Sequence, residues 1–331
     1  MSVTLERIDT APFGAATHLV CRACGAHAKL GADYSCWECF GPLEVAYDFG
    51  TVTREQIQSG PFSLWRYAPL LPVPANIAES RNLAPGMTRL HRADNLAKAL
   101  GITGTLWVKD DSGNPTHSFK DRVVAVAQSA GIQLGFNTLA CASTGNLAHA
   151  VAAAAARAGQ KSVVLVPSNL EQHKIQATAA YNGHVIGIEG NYDDVNRLCG
   201  ELIGEEVSAD WGFVNVNLRP YYAEGSKTVG YEIAEQLGWR LPDQVVIPVA
   251  SGALLTKVDK GWREFVELGL VESKPWRVFG AQATGCNPVS TAWADGSEVV
   301  RPVKPDTIAK SLAIGNPADG PYALDAVRRT N

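Results

Sequence analysis

The chain has 331 residues, of which 46% are hydrophobic, with a formal net charge of -4 and a pI near 6.0. This length is sufficient for one large or two moderate globular domains. The mildly acidic balance implies no basic face, which argues against a nucleic-acid or anionic-membrane partner. The N-terminus lacks a signal-like apolar stretch, and no run reaches the roughly 20 apolar residues of a membrane helix. We therefore expect a cytoplasmic protein that acts on a small molecule.

Four of the seven cysteines form two CxxC pairs near the N-terminus, Cys21 with Cys24 and Cys36 with Cys39. Two such turns joined by a hairpin can present four thiolates to one tetrahedral ion. The pattern therefore predicts a structural zinc-ribbon-like segment over residues 1–50. The alternative is a ribbon that has lost its metal and folds against its neighbour. A redox role is less expected, because the two pairs occur together and the sequence predicts no thioredoxin-like strand before either.

After a connector over residues 50–88, short β-branched-rich runs alternate with longer amphipathic segments. The predicted strands are TLWVK, TLACA, SVVLV, HVIGI, GFVNV, QVVIPV and RVFGAQA. The predicted helices are DRVVAVAQSAGIQLG, NLAHAVAAAAARAG, EQHKIQATAAYNG, YDDVNRLCGELIGEE, YYAEGSKTVGYEIAEQLG and LTKVDKGWREFVEL. This alternation predicts an α/β fold with two doubly wound parallel sheets. Ligands of such folds bind at the carboxyl ends of the strands.

Three predicted strand-to-helix turns have unusual sequences. STGN, residues 143–146, offers hydroxyls and an amide at a helix N-terminus, where a carboxylate can bind. ASGALL, residues 250–255, suits a phosphate ester held by backbone amides. NPTHSFKDR places the amine of Lys120 at the third turn, as a nucleophilic lysine requires. Together they suggest pyridoxal phosphate. Alternatively, the turns are ordinary helix caps and Lys120 is a surface lysine offset by Asp121.

The chain resembles threonine synthases, which belong to fold-type II of the pyridoxal-phosphate enzymes and share the tryptophan synthase β-like fold. The resemblance rests on CxxC, GNPTHSFKDR, ACASTGNLA, GNYDDVNRLC, VNVNLRPYYAEGSKT, VIPVASG and KPDTIAKSLAIGNP. It implies a larger cofactor-phosphate-binding α/β domain formed by residues 51–108 and 217–331. It also implies a smaller α/β domain formed by residues 109–216. Two departures are SGALL, where a more glycine-rich or polar loop is common, and ATGC in place of a common AEGC.

The resemblance also implies a role for individual residues. Lys120 would hold pyridoxal phosphate covalently, and Asn146 would lie beside the cofactor 3'-hydroxyl. The cofactor phosphate would be bound by Ala250, Ser251, Gly252, Ala253 and Leu254. The substrate carboxylate would be bound by Ser143, Thr144 and Asn146. The substrate's own phosphate would be bound by Asn215, Asn217 and Arg219.

The implied reaction is the conversion of O-phospho-L-homoserine and water to L-threonine and phosphate by a lyase. Another fold-type II enzyme, such as a threonine or serine dehydratase or a β-replacing synthase, would share Lys120 and Asn146. It would lack any reason for a second phosphate receptor, which makes Arg219 the discriminating residue. The non-enzymatic alternative is a metal-dependent binding or assembly module with a vestigial cofactor fold. The ribbon could contribute to a subunit contact, so a homodimer remains open.

The chain ends at DAVRRTN, within or just after a predicted helix. Threonine synthases continue beyond the corresponding point through strands and helices that complete the larger domain. That part includes a Ser or Thr that hydrogen-bonds the cofactor ring nitrogen. We therefore expect residues 1–331 alone to bind the cofactor weakly and to be catalytically impaired, because the sheet keeps an unpaired edge and apolar helix faces remain uncovered.

Overall fold

The computed structural model describes residues 12–74, 83–143, 145–169, 172–190 and 192–331. It contains two compact units. The first consists of the described residues of Met1–Pro85 and Val123–Gly225, and the second of Gly86–Arg122 and Ser226–Asn331. The domain bounds implied by the sequence remain a prediction. No helix in the described part of the chain is long and apolar enough to cross a membrane.

The described strands follow one another in chain order as β1 (Ala16–Cys21), β2 (His27–Ala28), β3 (Leu43–Tyr47), β4 (Arg89–Arg92), β5 (Trp107–Asp110), β6 (Thr138–Ala142), β7 (Lys161–Pro167), β8 (His184–Ile188), β9 (Trp211–Phe213), β10 (Gln244–Pro248) and β11 (Arg277–Ala281). The described α-helices are α1 (Arg54–Ser59), α2 (Asp94–Ala99), α3 (Lys120–Gln133), α4 (Asn146–Ala158), α5 (Gln172–Ala179), α6 (Tyr192–Glu201), α7 (Arg219–Glu224), α8 (Lys227–Gln236), α9 (Ala253–Glu267), α10 (Pro288–Ala294) and α11 (Gly320–Thr330).

The first unit contains a small antiparallel sheet and a larger parallel one. The antiparallel sheet has the order β2-β1-β3, and the parallel sheet has the order β8-β7-β6-β9. Val163, Leu165 and Phe213 of the parallel sheet pack with Val195 and Cys199 of α6. The runs TLACA, SVVLV and HVIGI are therefore confirmed as parallel strands, and their carboxyl ends lie at one edge of the sheet.

The second unit contains two sheets of two strands each. Strands β10 and β11 are parallel, whereas β4 and β5 are antiparallel. The prediction of a parallel strand was therefore wrong for TLWVK, because its partner β4 has the polar sequence RLHR and gives no hydrophobic signal. Ile247 and Val278 are buried on the strand face that α9 and α11 contact. Val246 and Phe279 form a neighbouring pair on the other face, where Val246 is 69% exposed.

The predicted helix YYAEGSKTVGYEIAEQLG forms two helices. Helix α7 ends at Glu224 and α8 begins at Lys227, so Gly225 and Ser226 separate them. Glycine has a low helix propensity, which makes this a natural position for the break. The break matters for the site because it makes α7 a short, separate element that begins at Arg219.

Candidate functional site

Lys120 is the first residue of α3. The Ser118 hydroxyl accepts a hydrogen bond from the Lys120 backbone N–H at 3.1 Å, as a capping residue does. His117 has a φ of 58°, in the left-handed region that residues other than glycine seldom adopt. The turn is therefore capped and conformationally constrained directly before the lysine. This is the position that the sequence predicts for an amine at a helix start.

The polar residues around Lys120 shape this turn. Thr116 donates from its backbone N–H and its hydroxyl to the Asp121 carboxylate at 2.7 and 2.8 Å. Burial raises the pKa of Asp121, although these hydrogen bonds oppose the change. The Asn114 side chain accepts from the Gly86 N–H and donates to the Asp111 carbonyl, both at 2.9 Å. The Asp121 carboxylate thus has a structural function within the loop.

Arg122 lies at the centre of a buried ion network that sequence reasoning missed. Its guanidinium donates to Asp111 at 2.7 and 2.8 Å and to Glu232 at 2.5 and 2.8 Å. Lys109 donates to the same Glu232 carboxylate at 2.7 Å and to the Thr88 carbonyl at 2.7 Å. The side chains of Arg122 and Glu232 are fully buried. The network fixes the first turn of α3, two residues after Lys120.

The loop predicted to bind the cofactor phosphate precedes α9 and follows β10. Gly252 is the N-cap residue of α9 and has a φ of 96°. A Cβ at this position would lie 2.8 Å from the Asp319 carbonyl oxygen, and the Asp319 N–H donates to the Ser251 carbonyl at 2.8 Å. Only glycine fits here, and it supplies no side chain to cap the first turn. The N–H groups of that turn, which includes Ala253 and Leu254, therefore suit an anion such as a phosphate.

The STGN turn has a similar form in the first unit. Ser143 follows β6, and its hydroxyl accepts from the Gly145 N–H at 3.3 Å. Gly145 is the N-cap residue of α4 and supplies no side-chain hydrogen bond, while Asn146 is exposed. Thr144 lies outside the described residues. One turn into α4, the buried Nε2 of His149 has no hydrogen-bond partner among the described residues, and burial lowers the pKa of this histidine. No signal in the sequence distinguishes His149.

The segment from Asn215 to Arg219 lies at the same sheet edge as Ser143. Strand β9 runs parallel to β6, and the pairing continues through a hydrogen bond of 2.9 Å from the Val214 N–H to the Ala140 carbonyl. The buried Oδ1 of Asn215 lacks a hydrogen-bond partner within the described part of the chain. A half-turn of the Asn215 amide exchanges its oxygen and nitrogen, so this position can pair with either a donor or an acceptor.

The other two residues of this segment have different surroundings. The Asn217 side chain is buried, and its Oδ1 accepts a hydrogen bond from the Phe213 N–H at 2.8 Å. Asn217 therefore closes the turn after β9. Arg219 is half-buried at the start of α7. Among the residues predicted for substrate and cofactor, the structure thus groups Ser143 and Asn146 with Asn215–Arg219 in the first unit. Lys120 and the Ala250–Leu254 loop belong to the second.

The four cysteines of the CxxC pairs come together as the sequence predicts. Their sulfurs all lie within 4.8 Å of one another, with Cys21 and Cys39 3.5 Å apart and Cys24 and Cys36 3.7 Å apart. A tetrahedral zinc ion with Zn–S bonds of about 2.3 Å separates its sulfurs by roughly 3.8 Å. Although burial acts to raise it, backbone N–H groups lower the pKa of Cys21 to about 6. A Cβ on Gly41 would lie 2.9 Å from the Cys21 sulfur, so a glycine is needed there. The residues fit a structural zinc ion.

We expect metal analysis of the reduced protein to find about one zinc per chain. Cys36→Ser should lower both the zinc content and the melting temperature, because three thiolates hold the ion less firmly than four. Cys286→Ser is the matched control, since Cys286 is also a buried free thiol but lies outside the cluster. Metal-free protein with an unchanged melting temperature would instead favour a ribbon that folds without metal.

A cavity of about 680 Å³ lies at the opposite edge of the parallel sheet in the first unit. Its lining includes Thr138, Lys161 and Trp211, which are the first residues of their strands, together with His184. The candidate substrate residues follow the carboxyl ends of the same strands. The cavity is therefore separate from the candidate substrate-binding residues of this unit.

Comparisons with known proteins show which family the chain resembles. The family model described as pyridoxal-phosphate dependent enzyme matches residues 82–331. A threonine synthase from Methanosarcina acetivorans is 38% identical over 318 residues, which cover 95% of this chain and 76% of that protein. A threonine synthase from Methanocaldococcus jannaschii is 36% identical over 300 residues, which cover 89% of this chain and 72% of that protein.

Solved structures show the same fold at lower identity. The diaminopropionate ammonia lyase from Escherichia coli has a TM-score of 0.59 and 19% identity, over 85% of this chain and 72% of that chain. The threonine deaminase isoform 2 from Solanum lycopersicum has a TM-score of 0.58 and 23% identity. That alignment covers 72% of this chain and spans 61% of the deaminase chain. The family match and the two similar synthases establish that the chain belongs to the pyridoxal-phosphate-dependent enzymes of fold-type II, and among them to the threonine synthases.

Proposed function

We propose that this chain converts O-phospho-L-homoserine and water to L-threonine and inorganic phosphate. The observation that carries the proposal is the sheet edge at which Asn215–Arg219 lies beside Ser143 and Asn146. A substrate with a carboxylate at one end and a phosphate at the other requires two anion-binding groups. The Ser143 turn suits the carboxylate, and the Arg219 guanidinium suits the phosphate because charge-assisted hydrogen bonds to phosphate are strong.

The cofactor of this family, pyridoxal phosphate, fits the residues present. The loop from Ala250 to Leu254 would bind its phosphate through the N–H groups at the start of α9, where the N-cap residue Gly252 makes no side-chain hydrogen bond to them. Asn146 would orient the ring through its 3'-hydroxyl, and Lys120 would hold the cofactor covalently. When bound, pyridoxal phosphate withdraws electrons from the substrate Cα and so makes the loss of protons and of the γ-phosphate feasible.

The residues of the chain then carry out the proton transfers and the binding. With the substrate bound, the Nζ of Lys120 would serve as the base that removes the Cα proton, and a Cβ proton would be removed next. The Arg219 side chain binds the γ-phosphate and stabilises its charge as it leaves. Ser143 and Thr144 would hold the substrate carboxylate. After the phosphate leaves, a proton would be returned to Cγ, the oxygen of water would add at Cβ with transfer of a water proton to the phosphate, and a proton would be returned to Cα before threonine is released.

An assay with O-phospho-L-homoserine tests this proposal. The protein should form threonine and inorganic phosphate in equal amounts. Arg219→Ala should raise the KM for this substrate by about 10- to 100-fold, because it removes charge-assisted hydrogen bonds, while cofactor binding remains unchanged. Arg197→Ala is the matched control, since Arg197 lies in the same unit with a side chain that is 67% exposed.

Two outcomes would contradict the proposal. Equal losses of substrate and cofactor binding in Arg219→Ala, or no change in either, would make Arg219 a structural residue. Turnover of serine or threonine without turnover of the phosphorylated substrate would instead indicate a dehydratase. A cytoplasmic location and a homodimer remain predictions from the sequence.

A further inference from the structure

The cysteine ribbon contacts the short helix that begins at Arg219. Strand β3 of the ribbon packs against α7. The Tyr47 hydroxyl of β3 donates to the Glu224 carboxylate of α7 at 2.7 Å. In a second hydrogen bond the donor is on the helix: the Tyr221 hydroxyl of α7 donates to the Gly31 carbonyl at 3.0 Å. Gly31 lies in the hairpin between the two CxxC pairs. Both hydrogen bonds therefore connect α7 to the ribbon.

The contact is buried and well packed. Tyr221 and Glu224 are completely buried. The Phe13 ring stacks on the Tyr221 ring with their centroids 5.4 Å apart. Burial raises the pKa of the Tyr221 hydroxyl, so this group remains a neutral donor. A buried hydroxyl that donates to a backbone carbonyl has a defined position, because losing the bond would leave a desolvated polar group.

The two ends of α7 are thus held by different parts of the first unit. At the start, the Leu218 N–H donates to the Phe213 carbonyl at 3.1 Å and the Arg219 N–H donates to the Val216 carbonyl at 3.0 Å. At the other end, Tyr221 and Glu224 contact the ribbon. The helix spans about 7.5 Å from Arg219 to Glu224, so a shift at the ribbon would move the Arg219 backbone as well.

We propose that the cysteine ribbon positions Arg219, with Tyr221 and Tyr47 as positioning residues for binding of the substrate phosphate. The proposal rests on the function proposed above, in which Arg219 receives that phosphate. It gives the ribbon a role beyond its own stability. If the Arg219 guanidinium is misplaced, it loses hydrogen bonds to the substrate phosphate. Other residues form the turns that hold Lys120 and the cofactor phosphate, so cofactor binding should not change.

Two conservative substitutions test the proposal on the holoenzyme. Tyr221→Phe and Tyr47→Phe each remove one hydroxyl and keep the ring. We expect each to raise the KM for O-phospho-L-homoserine and the Kd for inorganic phosphate by about five- to tenfold. Calorimetric titration with inorganic phosphate measures the second value without turnover. The kcat and the extent of cofactor attachment should remain within about twofold. Tyr34→Phe is the matched control, because Tyr34 is a ribbon tyrosine that is 41% exposed.

A double-mutant cycle with Arg219→Ala separates positioning from general stability. If Tyr221 acts through Arg219, then Tyr221→Phe should have no further effect on phosphate affinity once Arg219 is alanine. Additive effects, or a lower melting temperature with unchanged phosphate affinity, would overturn the inference and leave the proposed function intact. If Arg219→Ala itself leaves phosphate affinity unchanged, the proposed phosphate site and this inference both fail. Should Tyr221→Phe fold poorly, the cycle is run with Tyr47→Phe, whose ring is only half-buried.

Discussion

Replacing Glu232 with glutamine is expected to lower the free energy of unfolding by about 3–5 kcal/mol. The substitution keeps the side-chain volume but removes the charge that Arg122 and Lys109 both contact, at 2.5 and 2.7 Å. Both cations would then face Asp111 as the remaining carboxylate of the network. A buried charge without its partner keeps the desolvation cost and loses the attraction that offset it. Urea denaturation followed by circular dichroism measures the effect.

Asp243→Asn is the control for this prediction. The ion pair of Asp243 with Lys274 has the same length, 2.7 Å, but the Asp243 side chain is 92% exposed. Water and ions screen such a pair, so its loss should be hard to detect. The Lys109–Glu232 and Lys274–Asp243 pairs therefore have equal lengths but differ in burial, and Glu232 has Arg122 as a further partner. If Glu232→Gln loses no more stability than Asp243→Asn does, the buried network contributes little to folding.

The same network predicts how stability depends on pH. Burial acts to raise the pKa values of Glu232 and Asp111, but the Arg122 guanidinium outweighs it and lowers both. A lowered carboxyl pKa contributes stability that is present above the pKa of the unfolded chain, about 3.9–4.3. This stability is lost as the pH falls through the lower value of the folded protein. Glu232→Gln should therefore show a shallower loss of stability below about pH 4 than the unchanged protein does.

Local sequence patterns were sufficient for the features that depend on neighbouring residues. The CxxC spacing predicted a cysteine cluster, and the structure brings Cys21, Cys24, Cys36 and Cys39 together. The β-branched runs predicted the parallel strands β6, β7 and β8. The turn before α3 was also predicted, because a polar loop followed by an amphipathic segment is a local signal.

Features that depend on distant residues could not be predicted in this way. Glu232 is 110 residues away from Arg122 in the sequence, and the residues around each of them do not indicate that the two form an ion pair. Strand β4 was missed because its sequence RLHR is polar, so the antiparallel pairing of β5 was missed with it. The contact between the ribbon and α7 likewise joins residues that are far apart in the chain.

Lys120→Ala is expected to abolish covalent attachment of the cofactor. It should also lower kcat by about 10²- to 10⁴-fold, which is the range that a single proton-transfer group contributes. Other lysines of the second unit have different partners. The Nζ of Lys227 is completely buried and bonded to Glu264 at 3.1 Å. The Nζ of Lys109 has three acceptors, among them Glu232. Lys120 and Lys227 each begin a helix, but of the two turns the one before Lys120 has a side-chain capping hydrogen bond, from the Lys120 N–H to the Ser118 hydroxyl.

Borohydride reduction of the holoenzyme followed by peptide mapping measures this attachment directly. The reduced cofactor should be found on the peptide that contains Lys120, and the visible absorbance of the protein should disappear in Lys120→Ala. Lys161→Ala is the control, because Lys161 is an exposed lysine at the start of β7, and it should retain both the label and the absorbance. A label on Lys161, Lys174 or Lys227 would refute the assignment of Lys120. Because the labelling does not require turnover, it tests the cofactor site independently of the catalytic rate.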